Sequence, residues 1–223
     1  MLKRLREVKP ALGSMVISEY WSFWRKTDHS AAKKVKDTVW DDVWWERVDL
    51  TIKIMEPLIS LLRFVDTDQP ILVDVYEGWD SMIKSMRTIV MENECPEYGT
   101  STENLWTIIR DILISRWDKN CTPLHCLAHS LNLMYYSHDW LNGGLGPSRR
   151  VPHHMDGEIS QGRKTTFRRL LQDRDLLEEV EGFAEFSTAT GRFGGYEVLT
   201  NRELRNPMFG GQLMGEHALF YRR

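Results

Sequence analysis

An all-α or mostly α fold, an array of amphipathic helices whose aromatic faces pack together, is the architecture this sequence predicts. Apolar residues recur at spacings of three and four along most of the chain, the mark of a helix with one buried face. No extended segment alternates apolar and polar residues with the period of two that a half-buried strand requires. Hydrophobic residues make up 42% and charged residues 27% of the 223 positions, enough apolar material for a core and too much for wholesale disorder.

The elements follow in order. Trp40, Trp44, Val48, Ile52, Met55, Ile59 and Leu62 form one stripe over a helical region from Trp40 to Val65. Pro57 lies within it and predicts a kink or a break, because proline removes a backbone donor. Asp66 to Pro70 reads as a turn. Leu72, Tyr76, Trp79, Ile83, Met86 and Val90 mark the cleanest helix. Pro96 and Gly99 end it, and Ser101 or Thr102 can cap a helix from Glu103 to about Arg116, with Leu105, Ile109 and Ile112 on one side. Pro123 opens a further helical stretch to about Trp140.

Residues 142–162 hold Gly143, Gly144, Gly146, Gly157, Pro147 and Pro152 and read as an exposed loop. Helical spacing returns from Arg163 to Phe186, with Phe167, Leu171, Leu177 and Val180, and fades from Thr190 onward. The domain boundaries expected are therefore a helical region over 1–141, a flexible loop over 142–162, a helical return over 163–194 and a divergent tail over 195–223.

Charge and cysteine usage narrow the function classes. A formal charge of −3 excludes nucleic-acid binding by bulk charge, so such contact needs a local patch. Three cysteines are too few and too irregular for a disulfide framework, which fits a reducing compartment. The charged N-terminus is no secretory signal, and no stretch reaches the length of a membrane helix. A soluble, intracellular protein is expected.

Cys121, His125, Cys126, His129 and His138 are the candidate zinc ligands. Their helical spacing puts Cys121, His125 and His129 on one face and Cys126 elsewhere, so packing outweighs metal binding. Asp41–Asp42 and Asp66–Asp68 resemble metal-binding pairs, but each sits where a cap or a turn explains it. No phosphate loop, nucleophile elbow or dinucleotide fingerprint occurs. All nine tryptophans lie between Trp21 and Trp140. They are core residues by spacing, apart from Trp45, which lies off its stripe. Basic residues gather at Arg149, Arg150, Arg163, Lys164, Arg168 and Arg169, a candidate contact for nucleic-acid phosphates that competes with a solvated face.

The ordered segments Ser18–Glu19–Tyr20–Trp21, Lys33–Lys34–Val35, Val43–Trp44–Trp45–Glu46–Arg47–Val48, Ile54 to Asp66, Val75–Tyr76–Glu77–Gly78–Trp79–Asp80, Ser115–Arg116–Trp117–Asp118 and Pro123–Leu124–His125 resemble plant hAT-type transposases, from about Glu7 to Gly194. Cys126, His129 and Leu131–Asn132–Leu133 are also similar to a second signature of that family, a coincidental likeness because the neighbouring segments place this stretch downstream of it. The resemblance implies the helical insertion domain of a ribonuclease H-like transposase. The two catalytic aspartates of that fold would precede Met1, and its glutamate would lie in a Cys-Glu-Arg segment that does not occur here.

No enzyme activity, cofactor or metal is therefore expected. The family role is DNA transposition in the nucleus. Expected partners are DNA, bound weakly and without sequence preference, or related transposase-like proteins, with no membrane and no small-molecule substrate. Two other readings stay open: a domesticated nuclear regulator acting through protein or DNA contacts, and a nuclease completed by carboxylates from another chain.

The family pattern stops near Gly194, where a Trp-Trp-x-x-His-Gly segment should follow. Gly210 to Gly215, Gly-Gly-Gln-Leu-Met-Gly, can be written GGT GGG CAA CTC ATG GGG. Preceded by T and read one base earlier, it becomes Trp-Trp-Ala-Thr-His-Gly. Met208 to Arg223 is accordingly expected to be a frameshifted tail, poorly packed and mobile.

Overall fold

Helices account for all regular secondary structure among the described residues, and no strand occurs there. The computed structural model describes residues 1–27, 29–68, 71–93, 102–142, 150–171 and 173–204. The expected cap at Ser101, most of the loop's glycines and the whole of the Met208–Arg223 tail lie outside them. Two compact units are present, one of residues 1–60 and 86–105, the other of residues 61–85 and 106–223.

The first unit contains α1 (Leu2–Glu7), α2 (Lys9–Met15), α3 (Glu19–Thr27), α4 (His29–Trp40), most of α5 (Asp42–Val65) and short stretches of the two helices that follow it. Asp41 accepts the Trp44 N–H at 3.2 Å, so this carboxylate is a helix cap. The buried face of α5 is turned one residue from the expected stripe. Trp45 is 2% exposed, whereas Met55 and Leu62 of the expected stripe are 37% and 55% exposed, and Trp40 ends α4 instead of starting α5. The reading of Trp45 as the tryptophan outside the core is thus corrected. Its indole N–H donates to the Val39 carbonyl at 2.9 Å, and the Lys9 ammonium lies 5.1 Å from its ring centroid. A buried indole needs both an apolar bed and an acceptor, and position 45 supplies them. Ala32, Val39 and Val48 are buried in the same unit.

Pro57 does not end α5, which continues to Val65. The ring removes one backbone hydrogen bond, but residue 57 is itself buried, and packing offsets the loss of roughly 3 kcal/mol.

The second unit takes the first part of α6 (Leu72–Glu92), most of α7 (Thr102–Asn120), then α8 (Pro123–Ser130), α9 (His138–Asn142), α10 (Gly157–Leu170), α11 (Asp173–Thr188) and α12 (Tyr196–Leu204). The single helix expected from Pro123 to Trp140 is three pieces. After α8, Asn132 Oδ1 accepts the Met134 N–H at 3.2 Å and starts a 3₁₀ turn over Leu133–Tyr136. Ser137 Oγ then accepts the Trp140 N–H at 3.2 Å and starts α9. Short polar side chains here satisfy new helix ends instead of lying on a continuous helix.

α10 begins inside the stretch read as loop, because Asp156 Oδ1 accepts the Ile159 N–H at 3.0 Å and caps Gly157 onward. The helix expected over 163–186 divides after Leu170, where Leu171 takes extended backbone angles. One turn beyond Leu171 the stripe would meet Arg174 and Asp175, so apolar continuity fails there. α12 forms where periodicity had faded.

α11 ends in a Schellman motif. The Thr190 N–H donates to the Glu185 carbonyl at 3.0 Å and the Ala189 N–H to the Phe186 carbonyl at 3.3 Å. Ala189 carries φ 54°, a left-handed position that glycine occupies at lower cost. Ala189→Gly is expected to stabilise the chain by about 0.5–1 kcal/mol, read as a higher Tm. An unchanged or lower Tm would show that Ala189 is unstrained.

Candidate functional site

Polar and aromatic side chains concentrate at one place in the second unit. Helix α6 places Asp74, Tyr76, Glu77 and Trp79 along its first turns, where Glu77 is buried although charged. Trp117 comes from α7 and His129 from α8. Tyr135, Tyr136 and Trp140 come from the segment after α8, Arg150 and His153 from the approach to α10, and Glu158 from the first turn of α10.

Glu158 pins two aromatic residues. The Tyr76 hydroxyl donates to its Oε2 and the Trp117 indole N–H to its Oε1, both at 2.8 Å. Tyr76 and Trp117 meet edge to face at 5.1 Å, and Trp79 stacks on Trp117 at 5.3 Å. Tyr135 donates to Asp74 Oδ1 at 2.7 Å and Tyr136 to the Ser130 carbonyl at 2.8 Å. Burial first, then the neighbouring carboxylate, pushes both the Tyr76 and Tyr135 hydroxyls far up, so they remain donors.

Arg150 Nη1 approaches Glu77 Oε1 to 2.8 Å as an ion pair whose angles fall outside hydrogen-bond geometry. The same guanidinium lies 4.6 Å from the Trp140 ring centroid. Burial raises the Glu77 carboxyl and Arg150 counteracts that rise.

His129 lies between aromatic rings, stacked on Tyr76 at 4.8 Å and tilted against Tyr135 at 4.2 Å and His153 at 4.3 Å. Its Nδ1 is 3.2 Å from the Val73 carbonyl, which assigns the proton to Nδ1. Neither ring nitrogen of His153 has a hydrogen-bond partner among the described residues. His153 instead packs on Tyr136 at 5.1 Å and Trp140 at 5.3 Å.

Burial pushes His129 down to about 4 and His153 down to about 2. Both imidazoles are therefore neutral in the folded state at pH 7. The arrangement ties five helices together, α6, α7, α8, α9 and α10.

The two histidines set a pH dependence. Each has a folded value below the ordinary 6.5 of an unfolded chain, so the unfolded state takes up protons first as pH falls. Their contribution is complete above about pH 6.5 and is lost below it, by on the order of 1 kcal/mol per histidine at pH 5.5. Glu77, raised by burial, acts in the opposite sense. We expect the urea midpoint to fall from pH 7 to pH 5.5 and His153→Phe to flatten the fall. A midpoint independent of pH in this range would contradict the assignment of neutral histidines.

The described members of the basic set do not form one surface. Arg149 lies outside the described residues. Arg150 faces inward to Glu77, and Arg163 is buried with its guanidinium 3.5 Å from the Phe183 ring centroid. Lys164, Arg168 and Arg169 remain exposed on α10. Of the five described members, three are thus exposed to a phosphate.

The cysteine and histidine residues also separate by role. His125 Nδ1 accepts the Thr122 N–H at 3.1 Å and serves the α8 cap. His138 contacts Asn142 within α9. Burial pushes the Cys121 thiol up to about 12 and raises Cys126, so both stay protonated. Among the described residues no group of three His, Cys, Asp or Glu is placed to hold a metal ion.

No described helix is long and apolar enough to cross a membrane. The chain matches no protein-family model, no curated protein and no solved structure.

Proposed function

We propose that this chain is a helical module derived from an hAT-type transposase, equivalent to the insertion in the ribonuclease H-like core, acting in the nucleus without strand-transfer activity of its own. One observation carries the reading. The segments that resemble the family, Val75 to Asp80 and Ser115 to Asp118, lie on different helices, and their aromatic members Tyr76 and Trp117 share the Glu158 carboxylate. Residues that recur in a pattern far apart in sequence are thereby accounted for as partners in one core.

Among the described residues, contact with DNA falls to Lys164, Arg168 and Arg169. We expect a 30-base-pair duplex to bind without sequence preference, with Kd about 1–100 μM and a log–log salt slope of roughly −2.7 for three phosphates. Lys164→Glu, Arg168→Glu and Arg169→Glu together should abolish it, and magnesium should produce no nicks. Tight binding to one sequence at physiological salt, or magnesium-dependent cleavage, would overturn the proposal.

A second reading, a domesticated nuclear regulator, draws on the exposure of Tyr20 and Phe23 on α3, large aromatic groups of the kind that protein partners cover. Loss of a nuclear partner on Tyr20→Ser with Phe23→Ser would support it.

A further inference from the structure

A small groove between α10 and α11 combines an apolar floor with three cationic lining residues. Phe167 on α10 and Val180 and Phe183 on α11 form the apolar part, and Arg163, Lys164 and Arg168 complete the lining. The cavity is about 220 Å³, below the roughly 300–1,000 Å³ of sites for whole small molecules and close to the size of one large side chain. Val180 is 51% exposed, so the apolar floor opens to solvent on the α11 side.

Arg163 is 8% exposed, and its Nη1 has no hydrogen-bond partner among the described residues. No carboxylate among the described residues pairs with Arg163; a buried cation so placed is costly, and an anion brought to it recovers part of that cost. Lys164 and Arg168 stand one turn apart on α10, so a second and third cation rim the same groove.

We propose that this groove docks a short acidic segment of a partner protein, inserting one large apolar side chain between Phe167, Val180 and Phe183 while flanking carboxylates face Arg163, Lys164 and Arg168. The inference stands apart from the DNA-binding reading, because it requires an apolar anchor that a phosphate backbone does not have. It places affinity in a central buried side chain and orientation in the charged rim, the usual division at peptide sites.

The test is fluorescence polarisation of the full chain with a labelled peptide of sequence Asp-Glu-Asp-Phe-Glu-Asp-Glu and its Phe→Ala counterpart. Binding is expected to weaken about tenfold or more for the alanine peptide. A similar loss is expected for Val180→Asp and for Lys164→Glu with Arg168→Glu, all exposed positions that leave the core intact; circular dichroism checks the fold. Equal binding of the two peptides, or binding unchanged by Val180→Asp, would overturn the proposal. Displacement by duplex DNA with no dependence on the phenylalanine would do the same and leave only a charge-driven DNA contact. Failure of the DNA reading alone would leave the phenylalanine dependence untouched.

Discussion

Glu77→Ala is expected to destabilise the chain by about 3–5 kcal/mol, because it leaves Arg150 buried without its counter-charge. The side chains of Arg150 and Glu77 are only 14% and 4% exposed, so water cannot replace the lost partner. Such a loss is a large share of the roughly 5–15 kcal/mol that holds a typical domain folded. Glu77→Leu combined with Arg150→Met should cost far less than the sum of the single changes, since an apolar pair of similar volume carries no desolvation penalty. Urea unfolding of the four proteins measures the coupling. Additive single losses would show that Glu77 and Arg150 act independently.

Gly162→Ala is expected to cost about 3 kcal/mol, against the usual gain of helix propensity from this substitution. Gly162 is where α10 approaches α8. A Cβ there would lie 2.5 Å from Cys126 Cβ and 2.6 Å from Cys126 Sγ, with Pro123 Cα at 3.5 Å. The first two contacts are far inside van der Waals separation and involve a side chain rooted in the neighbouring helix, so the helices must move apart. Gly13→Ala in α2 is the internal comparison, because its Cβ meets nothing within 4 Å. It should stabilise by up to about 1 kcal/mol. Thermal melts of the two variants moving in the same direction would contradict the close approach at Gly162.

Helices were legible in the sequence because spacing of three and four reports an amphipathic period directly. Their rotation was less so. Adjacent Trp44 and Trp45 each fit a stripe that includes Val48, and the choice falls to groups far away, the Val39 carbonyl and the Lys9 ammonium. The breaks at Asn132 and Ser137 were not read, because the apolar spacing runs on across them.

Of the site, Tyr76 and Trp117 stood out within Val75–Asp80 and Ser115–Asp118, while Glu158 and His153 did not. Nothing local in a sequence says that position 158 will meet position 76. The burial of Arg163 was readable. Arg163 lies four residues before Phe167, on the buried face of α10, whereas Lys164 and Arg168 lie off that face. Counting cations along the chain hid that division, and Arg150 was lost to the same count.

Sequencing the coding DNA across codons 206 to 223 and beyond tests the transposase origin most directly. The account predicts that the frame one base away encodes Trp-Trp-x-x-His-Gly in place of Gly210 to Gly215, followed downstream by a Cys-Glu-Arg segment. A neighbouring frame that encodes neither would contradict the derivation of this chain from an hAT-type transposase through a frameshift.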